Sequence, residues 1–222
     1  MKQLILERVH PLDLLRELLS NAGARQVEAT EIRITYYVSN EGHVFVVSDN
    51  GHGMNYTGDR NMPGRLDRFL GLGLSAIVGY DVDEFSWKGL GSKLAYQSKR
   101  VEIETYVADS PEVYKAEIND PWGTIERKAI PKARIYRFPP EKGQHSGTTV
   151  KVFGHPPHRK ENPFTLQEIE TFLTHRTFVG FTTERQNIPR IYLNVNAQEK
   201  ELKFGFPELR LVQQDDGRGC PD

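Results

Sequence analysis

The chain has 222 residues, 29 basic and 30 acidic side chains, a formal net charge of −1 and 37% hydrophobic residues, which is the composition of an ordinary soluble globular protein with a sizeable core. It excludes a disordered chain, gives no global basic field for nucleic acid, and contains no apolar run near the roughly 20 residues of a membrane helix. A single cysteine, Cys220, excludes an internal disulfide and fits a reducing, cytoplasmic setting.

MKQLILERVH lacks the long apolar stretch of a secretory signal. From Pro11, PLDLLRELLSNA predicts an amphipathic helix with Leu12, Leu15, Leu18, Leu19 and Ala22 on one side and Pro11 in the first turn. Asp13, Glu17 and Asn21 follow at i, i+4 and i+8 on the other side, a pattern whose ordinary meaning is a solvated face. EIRITYYV (31–38) and HVFVVS (43–48) are rich in β-branched and aromatic residues and are joined by SNEG, so they predict a hairpin.

That hairpin runs into SDNGHGMN (48–55). Asn-Gly is a strong turn signal, and a turn explains the stretch by itself. The alternative is a ligand site in which Asp49 reads a flat ring and Gly51 and Gly53 let the backbone approach it. From Tyr56 to Lys88 the periodicity dissolves, as in a long functional loop. SKLAYQS after Gly91 restarts a helix, RVEIETYV (100–107) alternates as a strand, and further strands fall at VYKAEIN, ARIYRF and TTVKVFG. TLQEIETFLTHRTF predicts a helix capped by Thr165, with Gln167 and Glu168 in its first turn, and IYLNVN with KELKFGF predicts a closing hairpin. The whole reads as strand-rich α+β.

Several short motifs fail on context. GLGLSA (71–76) fits a dinucleotide pattern but follows RLDRF, which is no strand. KGLGSK (88–93) has Lys93 after Ser92, not before it as a phosphate loop requires. HPPH (155–158) has two prolines between its histidines and no further ligand nearby. Cys220 has no evident base, and the acceptor pattern at Asn55 is inert without secretion.

Four pieces remain, in order: ELLSNA, DNGHGM, KGLGSKLA and GTTVKV. They resemble the N box, two glycine boxes and closing Gly-Thr strand of the GHKL ATPase superfamily, named for gyrase, the ninety-kilodalton heat-shock chaperone, histidine kinases and MutL. The match covers about 11–153 and is closest in character to MutL/MORC-like and chaperone-like ATPase domains. It implies a Bergerat fold, a two-layer sandwich of helices on a mixed, mostly antiparallel sheet with a long ATP lid, and ATP and Mg²⁺ as cofactors. On this basis residues 1–154 form the ATP-binding core, with the lid at about 55–90. Residues 155–222 form a C-terminal helix and hairpin extension, expected to close an N-terminal fragment of a longer protein.

The resemblance also implies roles for individual residues. Asp49 accepts the adenine amine with Thr148 beside it, Gly51 and Gly53 bring the chain close to the purine, and Met54 forms a soft wall. Asn21 is similar to the family's magnesium ligand, and Glu17, one turn earlier, looks like its general base. Gly89 and Gly91 free backbone N–H groups for the phosphates, with Lys88 or Lys93 adding charge. Two features depart from the pattern: Ala24 stands where several members carry aspartate, and GARQVEATEIRI is a long entry to the first strand. The implied activity is Mg-dependent ATP hydrolysis coupled to lid closure and ATP-dependent homodimerisation, driving an effector outside this chain. A nucleic acid or protein client would be met there, and no membrane is involved. The alternatives are a nucleotide sensor without hydrolysis and a histidine kinase catalytic domain; Glu17 four residues before Asn21 favours the hydrolase branch over the kinase.

Overall fold

The computed structural model describes residues 10–71, 91–156, 162–181 and 188–205. They form an eight-stranded sheet carrying helices on one face. The strands are β1 (Glu31–Ser39), β2 (Gly42–Asp49), β3 (Arg100–Tyr106), β4 (Val113–Asn119), β5 (Arg134–Phe138), β6 (Gly147–Phe153), β7 (Arg190–Val195) and β8 (Gln198–Glu201). Their spatial order is β5-β4-β3-β6-β2-β1-β7-β8, antiparallel throughout except for the parallel pair β1–β7.

Period-two alternation decides which face is buried. Ile32, Ile34 and Tyr36 point inward from β1, and register sets Phe45 and Val47 of β2, then Val150 and Val152 of β6, beside them. Across this layer lies α1 (Asp13–Ala22), which buries Leu15, Leu18, Leu19 and Ala22 as the leucine spacing predicts, and Leu14 besides; Leu12, just before the helix, is buried too. The helix α4 (Leu166–Arg176) buries Ile169 and Leu173. It begins on the predicted cap: Thr165 Oγ1 accepts the Glu168 N–H at 3.2 Å while Glu168 Oε2 accepts the Thr165 N–H at 2.7 Å. Tyr36 Oη receives the Phe164 N–H at 3.0 Å and lies 2.6 Å from His43 Nδ1, tying the approach to α4 into the sheet.

Four local features differ from the sequence reading. The stretch expected as the start of the lid contains α2 (Arg65–Leu70), and the loop before it is organised by Asp67, whose carboxylate accepts the N–H groups of Thr57, Gly58 and Gly64 at 2.9, 3.1 and 2.9 Å. The remainder of the expected lid, 72–90, lies outside the described residues. SKLAYQS is a 3₁₀ turn, Gly91–Tyr96, and not an α-helix. A three-residue pitch eclipses Lys93 and Tyr96, and both side chains need the same direction to reach the carbonyls that end α2. A short helix, α3 (Pro121–Glu126), adds to the expected elements; Asp120 caps it by accepting the Gly123 N–H at 3.1 Å. Finally, β8 stops at Glu201 because Leu202 turns inward, its N–H bonding Ile191 O at 2.8 Å. Since β7 pairs with β1, the same sheet runs through both the 1–154 and the 155–222 parts of the chain.

Candidate functional site

At one end of the sheet three adjacent strands present Asp49 (β2), Thr148 (β6) and Thr105 (β3) in one row on the helix-bearing side, since Thr148 is the register partner of both others. The Asp49 carboxylate is half-buried, and its Oδ1 accepts the Gly51 N–H at 2.9 Å. Burial lifts its pKa from 3.8 to about 6, against the opposing pull of the Gly51 and Thr148 N–H groups. The sharp turn that follows gives the strand end its Asx-type bond.

Glycine is required around this carboxylate for steric reasons. A Cβ on Gly51 would stand 2.3 Å from Val27 O, the carbonyl that also accepts the His52 N–H at 2.9 Å. Gly53 has φ +74°, and a Cβ there would meet Tyr106 O at 2.1 Å. Gly147, on the other side of Asp49, has a φ of +147° and would meet Asp49 O at 2.1 Å. The backbone is thus drawn in tightly on both sides of the acid. Met54, half-buried, follows with its N–H on Thr105 Oγ1 at 2.7 Å. Asn50, read from sequence only as a turn residue, also anchors the start of β1, because its Oδ1 accepts the N–H groups of Thr30 and Glu31 at 2.9 Å each.

The end of α1 reaches this loop through the chain itself. After Asn21 come Gly23, the buried Ala24 and a 3₁₀ turn, Arg25–Val27, whose last residue lies against Gly51. Asn21 is half-buried, and its amide makes no side-chain hydrogen bond among the described residues. Glu17 Oε1 accepts from Arg16 Nη2 at 3.0 Å, and Arg16 Nη1 bridges to Asp13 Oδ1 at 3.1 Å, so Asp13, Arg16 and Glu17 form a linked ionic group.

The remaining predicted residues are distributed differently. Lys88 and Gly89 lie outside the described residues, and Gly91 opens the 3₁₀ turn. Lys93 is only 3% exposed; its Nζ donates to Phe69 O at 2.6 Å and Arg68 O at 3.3 Å, and burial lowers its pKa to about 8. Tyr96 Oη donates to Leu70 O at 2.5 Å, completing a row of side-chain bonds on the last carbonyls of α2. His155 of HPPH is buried with Nδ1 2.8 Å from Gln97 O, and His158 is outside the described residues. Among the described residues no group of three or more His, Cys, Asp or Glu is arranged to hold a metal ion, and no helix is long and apolar enough to cross a membrane.

Thr105 escaped the sequence reading. The available signal was a hydroxyl at the third inward position of the alternation Val101, Ile103, Thr105, where an aliphatic residue is expected. What the row offers chemically is a carboxylate acceptor between glycines that pack closely on neighbouring backbone, flanked by a second oxygen on Thr148.

No protein-family model matches the chain. No curated protein matches it either. Solved structures do. The ATPase region of Saccharomyces cerevisiae topoisomerase II bound to dexrazoxane aligns with a TM-score of 0.58 at 18% identity, covering 86% of this chain and 49% of that one. The topoisomerase IV ATP-binding domain of Francisella tularensis, in complex with a small-molecule inhibitor, aligns with a TM-score of 0.59 at 14% identity, covering 92% and 52%. The chain spans about half the length of these solved chains.

Proposed function

We propose, from the GHKL-type fold that this chain shares with topoisomerase ATPase domains, that it binds ATP with Mg²⁺ and hydrolyses it. The observation that carries the reading is the Asp49 carboxylate, half-buried at a strand end between Gly51, Gly53 and Gly147, none of which has space for a Cβ. A half-buried carboxylate acceptor at a strand end suits the exocyclic amine of adenine. Thr148 stands beside it and Met54 supplies a polarisable wall.

Asn21 suits Mg²⁺, a hard cation that takes amide oxygens, because its side chain is uncommitted among the described residues. Glu17 lies one turn away on the same helix face and is the candidate to take the proton of the attacking water; its Oε1 accepts from Arg16. Bound ATP supplies the phosphoanhydride to be cleaved, and Lys88, Gly89 and Gly91 are assigned to its phosphates. Lys93, bonded to Phe69 O and Arg68 O, is assigned to holding the base of the phosphate segment together with Tyr96. By the same reading, nucleotide binding closes the lid and drives homodimerisation, and an effector outside this chain uses the cycle.

A second reading, nucleotide binding without turnover, is favoured by one observation: at Ala24, where several GHKL members have aspartate, the side chain is a buried methyl and contributes no polar group. Calorimetry and a phosphate-release assay on the wild type, Asp49→Ala and Glu17→Ala decide between them. Asp49→Ala should lose ATP binding, whereas Glu17→Ala should keep it and lose turnover. Wild-type binding without phosphate release selects the second reading, and unchanged affinity in Asp49→Ala overturns the adenine assignment.

A further inference from the structure

The hydroxyl of Thr105 is 1% exposed and sits among three polar groups of the candidate site: the Met54 N–H at 2.7 Å, the Gly147 carbonyl at 3.2 Å and Thr148 Oγ1 at 3.0 Å. Their chemistry leaves few arrangements. A backbone N–H can only donate, so Met54 occupies one lone pair of Thr105 Oγ1. A backbone carbonyl can only accept, so the Gly147 oxygen is satisfied by Thr105 only if the single hydroxyl proton goes there. The Thr148 hydroxyl must then donate into the second lone pair of Thr105. This arrangement uses every group. The alternative, with the Thr105 proton on Thr148, makes one hydrogen bond fewer among these groups, Gly147 O then keeping only its ladder partner Tyr106 across β3–β6.

We infer that Thr105 is a specificity-determining positioning residue: it draws the Thr148 proton away from the ligand, so that Thr148 presents only lone pairs beside the Asp49 carboxylate. Two adjacent acceptors match a purine edge that carries an amine, directly or through a water that donates to both. They repel an edge that carries an oxo group. Sequence alone assigns the reading of the base to Asp49; the geometry adds a buried side chain, one strand beyond Thr148, that sets what Thr148 can do. Thr105 itself touches no ligand in this arrangement, and it acts through Thr148 and Met54.

This inference rests on the nucleotide reading above, and the test separates the two. Affinities for ATP and GTP are measured by calorimetry for the wild type, Thr105→Val and Thr105→Ser, with thermal unfolding recorded in parallel. The wild type should prefer ATP. Thr105→Val frees the Thr148 hydroxyl to donate, so the ATP-to-GTP preference should fall about tenfold or more, while Thr105→Ser keeps it. A purely structural role would weaken both nucleotides together and leave the ratio unchanged; that result overturns the assignment. A wild type that prefers ATP with an unmoved ratio in Thr105→Val removes only this inference, and a wild type that binds neither nucleotide removes the site and this inference with it. Should Thr105→Val not fold, Thr105→Cys keeps the volume with a weak donor and acceptor and reads the same ratio.

Discussion

The carbonyl oxygen of Tyr106 stands 2.1 Å from the point where a Cβ on Gly53 would lie, so β3 and the loop after β2 are in backbone contact at the candidate site. Gly53 also has φ +74°. Gly53→Ala therefore meets both a left-handed backbone and a backbone atom that cannot move aside, and should cost at least about 2 kcal/mol. Gly143 is the matched control: its φ is +79°, but nothing lies within 4 Å of its added Cβ, so Gly143→Ala should cost only about 1 kcal/mol. Urea unfolding of the two variants measures the difference, and equal costs would remove the close-approach argument.

Asp49 trades stability for an acceptor. Its folded pKa is raised from 3.8 to about 6 by burial, so the native state holds its proton more tightly than the unfolded chain. The associated stability is present below pH 3.8 and is lost as pH rises through 6. The rise corresponds to about 3 kcal/mol, lowered to about 2 by the water that reaches a half-buried carboxylate. Asp49→Asn removes this cost, so it should be more stable than the wild type at pH 8, with the gain vanishing near pH 4. The check is the difference between the two unfolding free energies across that range; a gain that does not change with pH would contradict the burial account.

How much of the fold and the site is legible in the sequence follows the range of the interactions. The leucine face of α1, the β1–β2 hairpin, the Thr165 cap and the Asp-Asn-Gly turn are set by neighbours within a few residues, and each stands in the sequence as a pattern. The parallel pairing of β1 with β7 has no local signature, because a parallel pair is joined by no tight turn and its two strands lie far apart in the chain. Lys93 shows the same limit within the site: its spacing behind Gly91 fits a phosphate contact, but the α2 carbonyls that draw it inward belong to a helix that the weak periodicity of that stretch conceals. Thr105 is hidden for the opposite reason, since a threonine in a strand is ordinary until its inward direction is known.

Lys93 supplies a pH signature of its own. Burial lowers its folded pKa from 10.5 to about 8, so the unfolded chain binds the proton more tightly between those values. Stability linked to this group is therefore greatest above pH 10.5 and is lost as pH falls toward 8. In Lys93→Met the linkage is gone. The unfolding free energy of the wild type relative to Lys93→Met should thus rise by up to about 3 kcal/mol between pH 8 and 10.5, other lysines cancelling in the difference. Denaturant titrations at the two pH values test it, and a flat difference would mean that Lys93 is solvated and free for other contacts.

The last prediction concerns what the nucleotide does. If Glu17 is the proton acceptor and Asn21 the magnesium ligand, the two substitutions should separate cleanly, although both residues lie on α1 within one turn of each other. Glu17→Ala keeps the amide of Asn21 and should bind ATP with near-wild-type affinity while turnover falls at least about a hundredfold. Asn21→Ala should weaken ATP binding only when Mg²⁺ is present and leave the magnesium-free affinity unchanged, because only the metal-bridged part of the interaction is lost. The same proteins report on assembly. By light scattering, Glu17→Ala with ATP and Mg²⁺ should accumulate as a dimer, since it binds but does not reset, whereas the wild type should show the dimer only with a non-hydrolysable analogue. Arg16 bridges Glu17 to Asp13, so removing Glu17 also frees Arg16; Glu17→Gln, which keeps the side-chain length and a hydrogen-bonding oxygen, controls for that disturbance and should match Glu17→Ala in turnover. Turnover retained in both variants would take the proton transfer away from Glu17.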